Sequence, residues 1–181
     1  MTHDLPRDAA GGRLVVLGID PGLRVTGYGL LSQCGGAEPS LLDYGALDTD
    51  ATLPLPERLS ALYDALRALI LRCRPSQVAV EEPFVAANVR SAMAIGEARA
   101  LALLAAAQAG VPVCRYSPAE VKQSVTGYGR GSKGQVQEMV RLQLGMAEAP
   151  EPQDAADALA VALCHLARCR ADDMLGEGTQ M

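Results

Sequence analysis

The sequence predicts an α/β fold built on a mixed sheet, and three observations carry that expectation. Three short apolar segments near the start are joined by turn residues, later apolar runs alternate with helical stripes, and no internal repeat divides the chain. A meander followed by strand–helix alternation gives a five-stranded sheet, antiparallel first and parallel later, with helices packed against it. At 181 residues the chain suits a single compact domain. We expect it over residues 13–170, between a flexible N-terminal extension (1–12) and a flexible tail (171–181).

Residues 14–19 form an apolar run, as in a strand covered on both faces, and Asp20-Pro21-Gly22 ends it in a turn. Residues 27–31 and 41–47 read as the next two strands, linked through Gly35-Gly36 and Pro39. Leu55, Leu59, Leu62, Leu66, Leu69 and Ile70 then recur at helical spacing within 54–72, before Pro75 stops the helix. Residues 77–80 read as a buried strand that delivers Glu81, 91–109 as an Ala-rich helix closed by Gly110, and 111–114 as the fifth strand. Ser117-Pro118-Ala119-Glu120 is a helix-start signature, for a helix ending near Val125. A Gly-rich loop (126–132), a helix over 133–144, a Pro-rich linker (149–153) and a last helix from Asp154 to about Arg170 complete the order.

Composition narrows the function. No apolar run reaches the ~20 residues that cross a bilayer, and MTHDLPRDAAGG lacks the apolar middle of a secretory signal. The five cysteines form no C-x-x-C pair and sit mostly among apolar neighbours, so we expect reduced thiols, a cytoplasmic protein and no zinc site. With one Phe and no Trp, ring-based recognition must use few residues. The net charge of −5 weighs against nucleic-acid binding overall. Its distribution does not: Lys122, Arg130, Lys133 and Arg141 face only Glu138 between 121 and 145, and the acids Glu148, Glu151, Asp154 and Asp157 follow. An acidic spot bordered by bases suits a metal site that receives a polyanion.

Each candidate acid has two readings. Asp20 is either a turn former or a carboxylate projecting rigidly from a strand end. Glu81 follows Val78-Ala79-Val80 and is poorly placed for simple solvation, with Glu82 as its exposed alternative. Asp154 and Asp157 share one face of a helix start, where the dipole favours carboxylates, and Asp154 can also cap. Together the three segments suggest one oxygen-rich cage for Mg2+, with Mn2+ as a substitute, because hard cations select carboxylate and water oxygens. Two ions about 4 Å apart would activate water, hold a scissile phosphate and stabilise the leaving 3'-oxygen, giving a 5'-phosphate product. His3 and His165 are too isolated to propose as ligands.

The segments LGIDPGLRVTGYGLL, VAVEEPF, VKQSVTGYGRGSKGQV and DAADALAVALCH appear in the order and spacing of RuvC-family resolvases, over nearly all of 14–170. This resemblance implies a ribonuclease H-like fold and a homodimer that nicks two opposed strands of a four-way DNA junction with Mg2+. It also implies cooperation with a branch-migration helicase complex. Asp20, Glu81, Asp154 and Asp157 match the family's four acidic positions, and Lys122 and Lys133 its basic positions near the cleft. Phe84 resembles the aromatic placed near the junction centre, where stacking contributes about 1–3 kcal/mol. As the only Phe it could instead be core. Ala86-Ala87 stand where relatives can carry a base, leaving Arg90 as the nearest substitute, and Arg130 belongs to the basic loop. Glu82 stands where relatives often carry Gln. The helix over 91–109 is the region the family uses to dimerise, with small Ala and Gly96 allowing close approach.

Three rivals remain beside this resemblance. An ATP-binding module of the actin and sugar-kinase type shares a GIDPG-like first turn, but needs two related domains. A ribonuclease H-like nuclease that processes RNA would share the first acidic strand, yet not VEEPF with the basic loop before DAADALA. A catalytically silent junction-binding module is disfavoured because all four acids are present.

Overall fold

The computed structural model describes residues 12–82, 89–129 and 131–177. A five-stranded sheet has the order β3-β2-β1-β4-β5, from β1 (Arg13–Asp20), β2 (Val25–Cys34), β3 (Ser40–Asp48), β4 (Gln77–Glu81) and β5 (Val113–Tyr116). β1 pairs antiparallel with β2, and β2 with β3, whereas β4 lies parallel to both β1 and β5. The mixed sheet expected from the sequence is therefore present, with β1 at its centre.

Helices cover both faces. On one, α1 (Leu55–Cys73) and α2 (Val89–Gln108) bury Leu62, Leu66, Leu69, Ile70, Ala98, Ala102 and Ala105 against Leu17, Ile19, Val78 and Val80. On the other, α3 (Pro118–Thr126), α4 (Lys133–Gln143) and α5 (Gln153–Glu177) pack Val121, Val136, Val140, Leu159 and Val161 against Val16, Leu31 and Ala79. Val16 and Leu17 thus face opposite layers, which explains the apolar run of β1. Each Leu or Val buried there stabilises by about 1.5–3 kcal/mol.

α5 lies unusually close to the sheet. A Cβ on Gly27 would overlap the Asp154 carbonyl, one on Gly29 would come within 2.7 Å of Leu159 Cδ2, and one on Gly18 within 2.8 Å of Ala162 N. These glycines of β1 and β2 form a trough that seats the N-terminal half of α5. Farther along α5, His165 is fully buried. Its Nδ1 accepts from the Tyr116 hydroxyl at 2.7 Å, and Nε2–H then donates to Gln77 Oε1. Burial holds this imidazole neutral, with its pKa lowered to about 4.

Several limits move. The fifth strand occupies Val113–Tyr116 rather than 111–114, since Pro112 cannot donate to a ladder. α4 carries a full capping box, Ser132 with Gln135, and its Ser132 lies in the stretch that the sequence predicts as the end of a Gly-rich loop. α5 continues to Glu177 instead of ending near Arg170, because no Gly or Pro interrupts it before Gly176. Cys34 is exposed, so the thiols are not uniformly buried. Among the described residues no helix is long and apolar enough to cross a membrane.

Candidate active site

Parallel pairing sets the first two acids side by side. Ile19 lies opposite Val80, and each strand ends one residue later in a carboxylate, Asp20 and Glu81. Paired strands are about 4.8 Å apart, and the Asp20 carboxyl donates a hydrogen bond to Glu81. Asp154 and Asp157 approach from the N-terminal turns of α5, held there by the glycine trough.

The cluster is electrostatically strained. Burial, followed by the charges of Glu81, Asp157 and Asp154, pushes the Asp20 pKa up to about 8. Burial also raises Glu81, against the Asp20 hydrogen bond and the lysines Lys133 and Lys122. Asp157 is raised by burial as well, and Lys133 opposes the shift. Lys133 Nζ stands 3.5 Å from Asp157 Oδ2. With the lysine side chain 70% exposed, this pair stabilises by under ~1 kcal/mol, so its consequence is for local charge rather than for folding.

Among the described residues no group of three Asp, Glu, His or Cys side chains is close enough to hold an ion as placed. Asp20 and Glu81 are joined by a hydrogen bond and Asp157 pairs with Lys133, contacts that a divalent cation would replace. The donor set suits that cation. It consists of carboxylates, three of them raised by burial, and hard ions prefer such oxygens.

The ambiguity between Glu81 and Glu82 is resolved by their partners. Glu82 Oε1 lies 3.1 Å from Arg99 Nη2 and 3.4 Å from Arg115 Nη1, and its N–H donates to the Tyr116 carbonyl at 2.7 Å. Glu82 therefore braces β4 against α2 and β5, while Glu81 joins the cluster. Lys122 lies on α3, and the Thr126 hydroxyl donates to the Lys122 carbonyl at 2.8 Å.

Phe84, Ala86, Ala87 and Arg130 lie outside the described residues, and Arg90 is in the first turn of α2 with its side chain outside them. Arg24, Arg58, Arg99 and Arg115 are not among the site residues predicted from the sequence. Arg24 had a signal, since it follows Asp20 within the same turn segment. The other three come from distant positions and had none. Arg24, Arg58 and Asp154 border an open cavity of about 430 Å³.

An acidic, lysine-flanked cluster at the ends of β1 and β4, closed by a helix across a β3-β2-β1-β4-β5 sheet, defines a nuclease of ribonuclease H-like fold. The family model described as "Crossover junction endodeoxyribonuclease RuvC" matches residues 16–165. The chain belongs to this family. It is 56% identical to the Chloroflexus aggregans member over 149 residues, 82% of this chain and 90% of that one. With the Dehalococcoides mccartyi member it shares 48% over 163 residues, 90% of this chain and 97% of the relative. The solved T. thermophilus RuvC in complex with Holliday junction substrate superposes with a TM-score of 0.82 at 40% identity, covering 88% of this chain and 96% of that one. The yeast mitochondrial Holliday junction resolvase Ydc2 shares the fold, with a TM-score of 0.61 at 14% identity over 86% of this chain and 80% of its own.

Proposed function

We propose that this protein resolves four-way DNA junctions in homologous recombination and repair, nicking two opposed strands symmetrically and leaving 5'-phosphate ends. The observation that supports it most directly is the buried meeting of Asp20, Glu81 and Asp157 beside Lys122 and Lys133 in a RuvC-family chain. Asp20, Glu81, Asp154 and Asp157 would hold Mg2+, or Mn2+ in its place, with two ions per site. When bound, the metal supplies water activation and charge neutralisation for in-line displacement at phosphorus.

The chain's own residues do the rest. Asp20 releases its proton as the cluster loads, so all four acids become available as ligands. Lys122 and Lys133 meet the phosphates entering the cleft, with Arg90 and Arg130 as further backbone contacts, and Phe84 stacks on a base at the junction centre. A homodimer supplies two sites related by a two-fold axis, one for each opposed strand. Met93 and Leu104, exposed on α2, support that helix as its interface. A branch-migration helicase complex delivers the junction, and the work is done in the cytoplasm.

The test is cleavage of a synthetic mobile four-way junction beside a matched linear duplex, with Mg2+, Mn2+ or chelator. Paired symmetric nicks on the junction alone, dependent on metal, are expected. Binding that persists without any cleavage would point to a silent module, and cutting of structured RNA instead would point to RNA processing.

A further inference from the structure

Arg24 stands on the β1–β2 turn at the rim of the cavity of about 430 Å³, together with Arg58, and neither Lys122 nor Lys133 lines it. Leu23, Val25 and Ile95 give it apolar walls, and Asp154 belongs to its border. Such a volume lies within the ~300–1,000 Å³ of small-ligand sites.

The turn is firmly held. The Thr26 hydroxyl donates to the Gly22 carbonyl at 2.7 Å, and Thr49 N–H to the Arg24 carbonyl at 3.0 Å. Arg58 is committed on two sides: its Nε donates to Thr49 Oγ1 and its Nη2 to the Leu23 carbonyl, each at 3.2 Å. Arg24 differs. Its side chain is exposed and forms no ion pair with any described residue, in a chain of net charge −5. Among the described residues, a fixed backbone thus presents a guanidinium without an ion-pair partner, with a second, immobilised one nearby, over an apolar wall that ends at one of the clustered acids.

That combination fits a deoxynucleotide better than a free anion. The sugar has apolar surface to lie on, the phosphate has a guanidinium suited to its oxygens, and Asp154 links the cavity to the carboxylate cluster. We propose that the cavity seats the nucleotide next to the cleaved phosphodiester on the cut strand, with Arg24 holding its backbone phosphate. Arg24 is then a positioning residue that contributes affinity and register without reading sequence. The inference rests on the junction-cleaving reading above and adds a contact to it.

The test measures junction affinity against salt for Arg24→Ala and Arg24→Lys in an Asp20→Asn background, which prevents cutting during the titration. Arg67→Ala is the control, an exposed arginine on α1 roughly 13 Å along the helix from Arg58. Arg24→Ala should weaken binding roughly tenfold at low salt and reduce the slope of log K against log salt by about 0.7–0.9. Arg24→Lys should restore most of the slope, and Arg67→Ala should leave both unchanged. With the acids intact, Arg24→Ala should raise the junction concentration that gives half-maximal cutting by a comparable factor. An unchanged slope and affinity in Arg24→Ala, while the parent cuts junctions, overturns the seat alone. A parent that neither binds nor cuts junctions overturns the underlying reading.

Discussion

α5 carries two buried titratable centres a little over two turns apart, and they are built on opposite terms. At His165 every ring nitrogen has a partner, from Tyr116 on β5 and Gln77 on β4. At Asp157 the neighbours are Asp20, Glu81 and Asp154, and pKa values rise first because burial strips water from the carboxylates and then because like charges lie nearby. The first centre ties helix to sheet and needs nothing further. The second is stable only with a proton, a lysine or a cation at hand. Satisfied burial marks structure here, and unsatisfied burial marks the place where something must bind.

Replacing the proton-bearing acid should break the contrast most severely. Asp20→Asn is expected to lower junction cleavage by a thousandfold or more while leaving junction binding largely intact, read by nicking assays and gel shift. Retained turnover would remove Asp20 from the site. Next in size is the trough beneath α5. Gly18→Ala should cost about 1–3 kcal/mol, because the added methyl meets the backbone of Ala158 and Ala162. It should also slow cleavage by shifting Asp157, and denaturant unfolding beside a rate assay would show both losses or neither.

The two centres also predict opposite pH limbs for the metal-free protein. Asp20 has a folded pKa of about 8, above its unfolded value of 3.8, so the fold holds a proton that the unfolded chain loses. Its stabilising contribution is complete below pH 3.8 and falls as pH rises towards 8. His165 has a folded pKa of about 4 against 6.5 unfolded, so its contribution is complete above pH 6.5 and falls as pH drops towards 4. The two slopes oppose each other between pH 4 and 6.5. From pH 6.5 to 8 the His165 contribution is constant, and the Asp20 contribution should decline by at most about 2 kcal/mol. Thermal melts should show that decline in the parent and lose it in Asp20→Asn.

Tyr116→Phe should cost about 1–2 kcal/mol by leaving His165 Nδ1 without its donor. Cleavage per folded molecule should stay within about twofold. A large loss of rate without loss of stability would mean that the satisfied centre takes part in function. The smallest effect should come from Lys133→Ala, which raises the Asp157 pKa further and reduces the salt slope of junction binding by about 0.7–0.9. An unchanged slope would leave Lys133 as a solvated surface charge.

Much of this was legible in the sequence because it is local. An apolar run ending in Asp-Pro-Gly announces β1 and Asp20, and two acids three residues apart announce one face of α5. What was illegible depends on distant partners. Glu81 and Glu82 are equivalent as letters, and only Arg99 and Arg115, brought in by α2 and β5, draw one away from the cluster. The isolated His165 of the sequence becomes the hub of a polar chain only when β4 and β5 flank it. Gly18, Gly27 and Gly29 read as ordinary strand residues until α5 lies across them.

The most direct test of the central claim is Mn2+ binding to the parent and to Asp20→Asn at pH 7, followed by calorimetry in buffers of different ionisation enthalpy to count protons released. The strained cluster predicts close to one proton per chain released on loading the parent, and none from Asp20→Asn. Binding of equal strength with no proton release in either protein would contradict it, because the metal would then be held somewhere other than at the protonated pair of Asp20 and Glu81.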